Sequence, residues 1–266
     1  MFKKYQNMIR PNESTMSGGG IETYMTGDIE FKIHIHEEKT KNGIPSYDIA
    51  IHRNNDPKLS KCLHLMIDNR IAYIREISYY SNCAEPVLDN PDGGSRILKF
   101  CIQFLKENKN RFNINKIQLK DNSALFCVMS NGEKKRMQLP LLSTLTYGHT
   151  WYGRYGFRPY DPDNDCLDKK NYIIYKKNQK IVNRTLTKNT KIFEYQKDGM
   201  IQKGIGIEDS KHFVDRLEKK YGNLTIMQFF QNKKFKKCAF LIHFYEKLAM
   251  DLGIKNFYGN SFYLEL

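Results

Sequence analysis

The sequence lacks the features that mark most metal-binding and membrane-spanning chains. None of its six cysteines stands in a C-x-x-C pair, and no histidines stand at zinc-ligand spacing. We therefore expect no metal site and interpret the cysteines as reduced thiols. No stretch approaches the ~20 apolar residues that a bilayer-spanning helix needs, and no apolar run follows the basic start of the chain. The sequence predicts a soluble, intracellular protein.

Acidic residues are scarce compared with basic ones. The 29 Asp and Glu residues face 43 Lys and Arg residues, which leaves a formal charge of +14. Such a charge attracts phosphate-rich partners, so nucleic acid and the phosphates of a coenzyme are both candidates. The lysines are nevertheless scattered among many Asn, Ile and Tyr residues, which is also typical of a plain solvated surface. The composition leaves these alternatives open.

The patterning divides the chain into three parts. Residues 1–28 contain many helix and strand breakers and little apolar periodicity, which predicts a flexible N-terminal arm. Residues 29–180 carry the regular patterns of one domain. Residues 181–266 have separate signals for two helices and a terminal strand, and we interpret them as a C-terminal α/β extension.

Alternating apolar and polar residues predict an antiparallel meander at the start of the domain. The alternation is clear in Phe31–His36 and Tyr47–His52, and two further runs flank a tight-turn candidate at Asp68–Arg70. A helical pattern follows between Asn90 and Asn110, and the next strand is Ile114–Leu119. The fold class is therefore α+β, with a mixed, mostly antiparallel sheet flanked by helices.

Later elements of the domain are predicted from shorter signals. Asn131-Gly132 marks a hairpin, which leads into a helix that carries Tyr152. That helix ends at Gly156, where glycine can take the left-handed conformation, and a strand begins at Phe157. The run Tyr172–Tyr175 is predicted to be the last strand of the domain.

The segment Trp151–Phe157 resembles a motif of the GCN5-related N-acetyltransferase (GNAT) superfamily. In that family a Y-x-x-x-G-F segment ends the helix that carries the catalytic tyrosine and starts the next strand, and Tyr152 is the matching position here. The resemblance covers about residues 29–180. It implies a GNAT-like sheet and an N-acyltransferase that moves an acetyl group from acetyl-CoA to an amine. The alternative for the same residues is a packing motif at a helix–strand junction.

The resemblance also implies a site for acetyl-CoA. A glycine-rich turn at a helix start offers free backbone N–H groups to an anion, and in the family this turn grips the coenzyme pyrophosphate. The residues that would bind the pyrophosphate here are Gly93, Gly94, Ser95 and Arg96, and those that would contact the pantetheine arm are Ser81, Asn82 and Cys83. The family motif is matched only in part, because Asp89 and Asp92 replace its first Gln/Arg and its first glycine. A simple N-capped helix start, with Asp92 as the cap, is the alternative.

Acyl transfer to an amine needs a general base for the amine and a general acid for the departing thiolate. By the resemblance, Tyr152 is the acid and Glu76 is the base, with Glu85 and His149 as further candidates for the base. Glu76 could equally be a partner for Arg75 or a solvent-facing charge of the strand.

A second, non-enzymatic function is also consistent with the sequence. In that case the fold is kept without coenzyme binding, and the basic, tyrosine-rich surface serves a binding or assembly module that contacts nucleic acid or a virion component. The Lys-, Asn-, Ile- and Tyr-rich composition is typical of a large DNA virus or of an AT-rich protist.

Overall fold

The computed structural model describes most of the chain outside its N-terminus and parts of its last third. The described residues are 20–39, 45–78, 82–86, 93–128, 132–186, 215–216, 218–232 and 245–266. They form an α+β structure with a large, mostly antiparallel sheet, which confirms the predicted fold class. The chain divides into two compact units: unit 1 contains residues 1–120 and 263–266, and unit 2 contains residues 121–262.

The predicted meander forms the sheet of unit 1. Its antiparallel strands pair in chain order and are β1 (Gly20–Thr26), β2 (Ile29–Lys39), β3 (Pro45–His52), β4 (Lys61–Asp68) and β5 (Ile71–Ile77). Asn69 and Arg70 join β4 to β5 with φ of +48° and +68°, as the turn candidate predicts. The alternating pattern is sufficient here because β2, β4 and β5 bury mainly alternate residues, although the last four residues of β3 are all buried.

Strand β1 lies within the segment that the sequence predicts to be a flexible arm. Tyr24 on β1 is buried, and its ring packs edge-on against Phe104 with the centroids 5.0 Å apart. Arg111 holds Glu22 by two hydrogen bonds of 2.6 and 2.8 Å. The prediction of a flexible arm is therefore wrong for residues 20–26, because two side chains that are distant in sequence fix this strand to unit 1. Residues 1–19 lie outside the described part.

A helix and a parallel strand complete unit 1. Helix α1 (Gly93–Glu107) follows β5 and buries an apolar face on which Phe100 stacks on Phe31 with ring centroids 4.2 Å apart. Strand β6 (Lys116–Lys120) then pairs in parallel with β5. The terminal strand β11 (Ser261–Glu265) lies next to β6, so the end of the predicted extension contributes to this sheet.

Unit 2 has an apolar core built mainly from helices. Its elements are the hairpin strands β7 (Ala124–Val128) and β8 (Lys134–Gln138), helix α2 (Leu139–Tyr147), the 3-10 turn Tyr152–Tyr155, the short strands β9 (Arg158–Asp161) and β10 (Cys166–Leu167), and helices α3 (Lys169–Val182), α4 (Ile226–Gln231) and α5 (Tyr245–Asp251). Leu145, Val182, Phe229 and Leu248 lie in the core and are buried. No helix among the described residues is both long enough and apolar enough to cross a bilayer.

The prediction of a strand at Tyr172–Tyr175 is wrong, because these residues lie in helix α3. Asp168 caps this helix, because its side chain accepts a hydrogen bond of 2.9 Å from the backbone N–H of Asn171. The buried positions Tyr175, Asn178 and Val182 recur at intervals of three and four residues. The run Tyr172–Tyr175 is short, although its residues favour a strand. It lies within a longer helical pattern that has a cap, and that pattern determines the structure.

Candidate functional site

The carboxyl end of β5 is one of the places where the sheet of unit 1 is irregular. Parallel pairing with β6 ends at Ile74↔Leu119, although β5 continues for three residues to Ile77. A register shift against β4 lies at the same point, since Leu65 pairs with Ile74 while His64 pairs with Glu76. Such bulges bend a strand and re-aim its side chains. The backbone of β5 beyond Ile74 therefore continues to pair with β4 but not with β6.

Glu76 lies on this bulged end and is exposed. Its carboxylate accepts a hydrogen bond of 2.7 Å from the hydroxyl of Ser78. The guanidinium of Arg75 instead contacts the sulfur of Met66, at 2.7 Å. Glu76 is therefore a solvent-facing charge of the strand rather than a partner for Arg75. Its role as a base stays a prediction.

The glycine-rich turn is described only from Gly93 onward. Gly93 begins α1 and is buried, Gly94 and Ser95 are partly exposed, and Arg96 is exposed. Asp89 and Asp92 lie outside the described residues, so the alternative of an N-cap is not tested. The first turn of α1 keeps the backbone N–H groups and positive dipole end that an anion site requires.

A disulfide fixes the segment that was assigned to the pantetheine arm. Cys83 bonds to Cys62 of β4, and Cys127 is disulfide-bonded as well, whereas Cys101 and Cys166 are free thiols. The prediction of reduced thiols is therefore wrong for three cysteines, because spacing along the chain does not reveal which cysteines meet in space. Disulfides persist mainly in oxidising compartments. The cysteines therefore no longer support the predicted intracellular location.

The same segment is held against the sheet by backbone and side-chain hydrogen bonds. Glu85 and Glu30 exchange backbone hydrogen bonds of 2.6 and 3.0 Å. The side-chain carbonyl of Asn82 accepts a hydrogen bond of 3.1 Å from Arg53, and its amide nitrogen donates to Asn54. Asn82 and Glu85 thus border one cavity of about 280 Å³, which Lys32 also lines. Ser81 lies outside the described residues.

Tyr152 does not lie on a long helix, as the sequence predicts. Helix α2 ends at Gly148, which has φ +73°, and Tyr152 begins a separate 3-10 turn that ends at Gly156 with φ +94°. The helix-ending role of Gly156 is confirmed. The single-helix prediction is wrong because Gly148 already ends the first helix in the left-handed conformation.

The side chain of Tyr152 is 7% exposed. Its ring packs edge-on against Trp151 at 4.8 Å and Phe157 at 5.8 Å between centroids. These contacts are those of a packed aromatic residue, and the role of Tyr152 as an acid stays a prediction. Glu76 belongs to unit 1 and Tyr152 belongs to unit 2.

A hydrogen-bonded cluster in unit 2 surrounds His149. The Tyr175 hydroxyl oxygen and the Gln179 amide nitrogen each lie 2.8 Å from Nδ1 of His149. The Gln179 amide nitrogen can only donate, whereas the role of the Tyr175 hydroxyl depends on the tautomer of His149. Burial, and then the positive charges of Lys176 and Arg154, lower the pKa of His149. Burial is the main cause that raises the pKa of Tyr175, which keeps its proton.

Sequence reasoning proposed His149 but missed Tyr175 and Gln179. The missed residues lie on α3, and their separation of four residues places them on one face of that helix. The signal that could have found them is Asp168 as a cap before a periodic pattern. The structure thus brings together one predicted residue and two unpredicted ones.

The described part of the chain holds no cluster of three or more His, Cys, Asp or Glu side chains arranged to hold a metal ion. No protein-family model matches the chain, and neither the curated proteins nor the solved structures contain a match to it. The function therefore has to be argued from the residues and their geometry.

Proposed function

We propose that the protein is an acetyl-CoA-dependent N-acyltransferase with a GNAT-like fold that transfers an acetyl group to an amine. The observation that carries this proposal is that β5 extends three residues beyond its last pair with β6, Ile74↔Leu119. Strand β5 keeps its extended backbone to Ile77, so an extended ligand with amide groups can pair with it like an added strand. The pantetheine arm of coenzyme A has these groups.

The position of α1 supports the same function. The helix follows β5 in a strand, helix, strand unit, and its first turn begins at Gly93 and Gly94. The diphosphate of coenzyme A would lie at this helix start, where N–H groups and the helix dipole favour negative charge. Arg96 in the first turn adds a positive charge near the same place.

The reaction would need three proton transfers. A base removes a proton from the ammonium form of the acceptor, and the neutral nitrogen attacks the thioester carbonyl. The nitrogen loses its second proton as the carbon–sulfur bond breaks, and the departing thiolate takes a proton from an acid. Tyr152 is proposed as the acid and Glu76 as the base. His149 is an alternative base, because its lowered pKa leaves the imidazole mainly neutral at pH 7.

The burial of Tyr152 favours a second candidate function. A tyrosine that is 7% exposed and packed between aromatic rings is typical of a structural residue. In that case the protein is a catalytically inactive module whose basic surface contacts nucleic acid or a virion component. Its formal charge of +14 supports such a partner.

Thermal unfolding with acetyl-CoA separates the two functions. A ligand at about 100 times its dissociation constant adds about 2.7 kcal/mol to the free energy of unfolding, so the transferase should show a clear upward shift of Tm. Gly94→Val should abolish the shift by filling the start of α1. Gly20→Val is the matched control, because a Cβ there would meet no atom within 4 Å. A parent protein that acetyl-CoA does not stabilise, while oligonucleotides give a salt-sensitive shift, would favour the second function.

A further inference from the structure

The hairpin β7–β8 presents an apolar patch to solvent. Phe126 is 68% exposed and Val128 is 63% exposed, while Cys127 between them is buried in the core of unit 2. Alternate residues of a strand point to opposite faces, so Phe126 and Val128 share the outer face of the hairpin. Large exposed apolar side chains grouped in this way mark interaction surfaces.

The partner strand places positive charge beside these residues. Arg136 pairs directly with Phe126, and Lys134 pairs with Val128, so both cations share the outer face. Lys135 lies between them along the strand and pairs with Cys127, so it belongs to the opposite face of the hairpin. Within residues 124–138 the sequence contains three basic residues and a single acidic one, Glu133. The outer face is therefore both apolar and cationic.

The guanidinium of Arg136 is held in a fixed position. It lies over the ring of Tyr258, with 4.8 Å between its carbon and the ring centroid, and it also contacts the Tyr258 hydroxyl. One of its nitrogens donates a hydrogen bond of 3.3 Å to the backbone carbonyl of Asn122. The guanidinium plane of Arg136 thus lies over a phenol ring, and Phe126 is its cross-strand neighbour.

We propose that this outer face binds single-stranded nucleic acid. Bases stack on aromatic rings and on guanidinium planes, and lysines bind the phosphates between them. The fixed orientation of Arg136 favours this ligand over an anionic membrane, because a membrane contact needs apolar area and mobile charges but no oriented plane. The site gives the second candidate function a location, and it does not depend on acetyl-CoA binding.

The test is fluorescence anisotropy of the full chain with a labelled single-stranded dT12 and with the corresponding duplex. We expect dT12 to bind more tightly than the duplex, with an affinity that falls as salt rises. Phe126→Leu keeps the apolar area but removes the ring, and it should weaken dT12 binding roughly 5- to 100-fold, the range for loss of one stacked base. Arg136→Lys keeps the charge but removes the plane and should also weaken binding.

The matched control is Ile173→Ala, which shortens another exposed apolar side chain of unit 2, 69% exposed on α3, and should leave binding unchanged. The proposal is overturned if dT12 does not bind, or if Phe126→Leu binds it as tightly as the parent. It is also overturned if vesicles containing phosphatidylserine bind the parent more tightly than the Phe126→Leu variant while dT12 does not displace them, because the face would then bind a membrane. Each of these outcomes leaves the acetyl-CoA test unaffected.

Discussion

Gly153 and Tyr175 approach each other so closely that residue 153 has no room for a side chain. A Cβ on Gly153 would lie 2.0 Å from the Tyr175 hydroxyl oxygen and 2.9 Å from the Thr150 hydroxyl oxygen. Gly153→Ala should therefore destabilise the protein by about 1–3 kcal/mol, the usual cost of overpacking. Urea unfolding measures this loss. Gly20→Ala, at a position with open space, should cost much less.

A double mutant tests whether this contact is the cause. Tyr175→Phe removes the nearest atom, and it should cost about 1 kcal/mol alone because the hydroxyl loses its bond to His149. The double mutant with Gly153→Ala should lose less stability than the sum of the two single-mutant losses. Strict additivity would mean that the alanine is accommodated elsewhere and that the Gly153–Tyr175 approach is unimportant.

Tyr152 and Tyr175 have different expected roles in catalysis. If the protein is a transferase, Tyr152→Phe should lower turnover by about 10²–10⁴-fold while acetyl-CoA affinity stays nearly constant, since only a proton donor is lost. Tyr175→Phe is the matched comparison, because it removes the same atom type from the His149 cluster. Steady-state kinetics with acetyl-CoA and a panel of amines gives both values. If only Tyr175→Phe lowers turnover, the proton donor was misassigned; if neither variant does, Tyr152 is a packing residue.

The disulfide between Cys62 and Cys83 should contribute substantially to stability. It links residues 21 positions apart, and restricting a loop of this length in the unfolded chain stabilises a protein by roughly 3 kcal/mol in the chain-entropy model. Replacing both cysteines with alanine should therefore lower the free energy of unfolding by about that amount. Cys166→Ala is the control, because Cys166 is an exposed free thiol. Equal urea midpoints for the two variants would contradict a stabilising role.

The strands of unit 1 were predictable because their signal is local. Alternation in Phe31–His36 and Tyr47–His52 determines which face of each strand is buried, and β2 and β3 contain these runs. The strand β1 was missed because Glu22 and Tyr24 depend on Arg111 and Phe104, which are distant in sequence. No local pattern contains such a contact.

The candidate site was less predictable than the fold. His149 could be proposed from its residue type, but Tyr175 was assigned to a strand, which hid its contact with His149. Likewise, the pairing of Cys62 with Cys83 depends on how the chain returns across β4. Chemical roles depend on distances between segments, and sequence spacing gives these only within one helix or strand.

Asp121 is a buried carboxyl group whose charge the fold does not fully compensate. Its side chain is 0% exposed, and its Oδ1 accepts hydrogen bonds from the backbone N–H and the hydroxyl of Ser123. Its Oδ2 has no hydrogen-bond partner among the described residues. Burial raises the pKa of Asp121 to about 6, although the bonds from Ser123 act in the opposite direction.

This raised pKa predicts how stability depends on pH. Between the unfolded pKa near 4 and the folded pKa near 6, the folded state binds more protons than the unfolded state, so stability falls as pH rises and then stays at the lower value. The loss should be about 3 kcal/mol, from about 1.4 kcal/mol for each pKa unit. Asp121→Asn cannot ionise, so its stability relative to the parent should increase by that amount from pH 4 to pH 7. Ser123→Ala should extend the fall to higher pH, because it removes the hydroxyl bond that favours the carboxylate. Urea unfolding at a series of pH values measures each curve, and parallel curves for the parent and Asp121→Asn would show that Asp121 titrates normally.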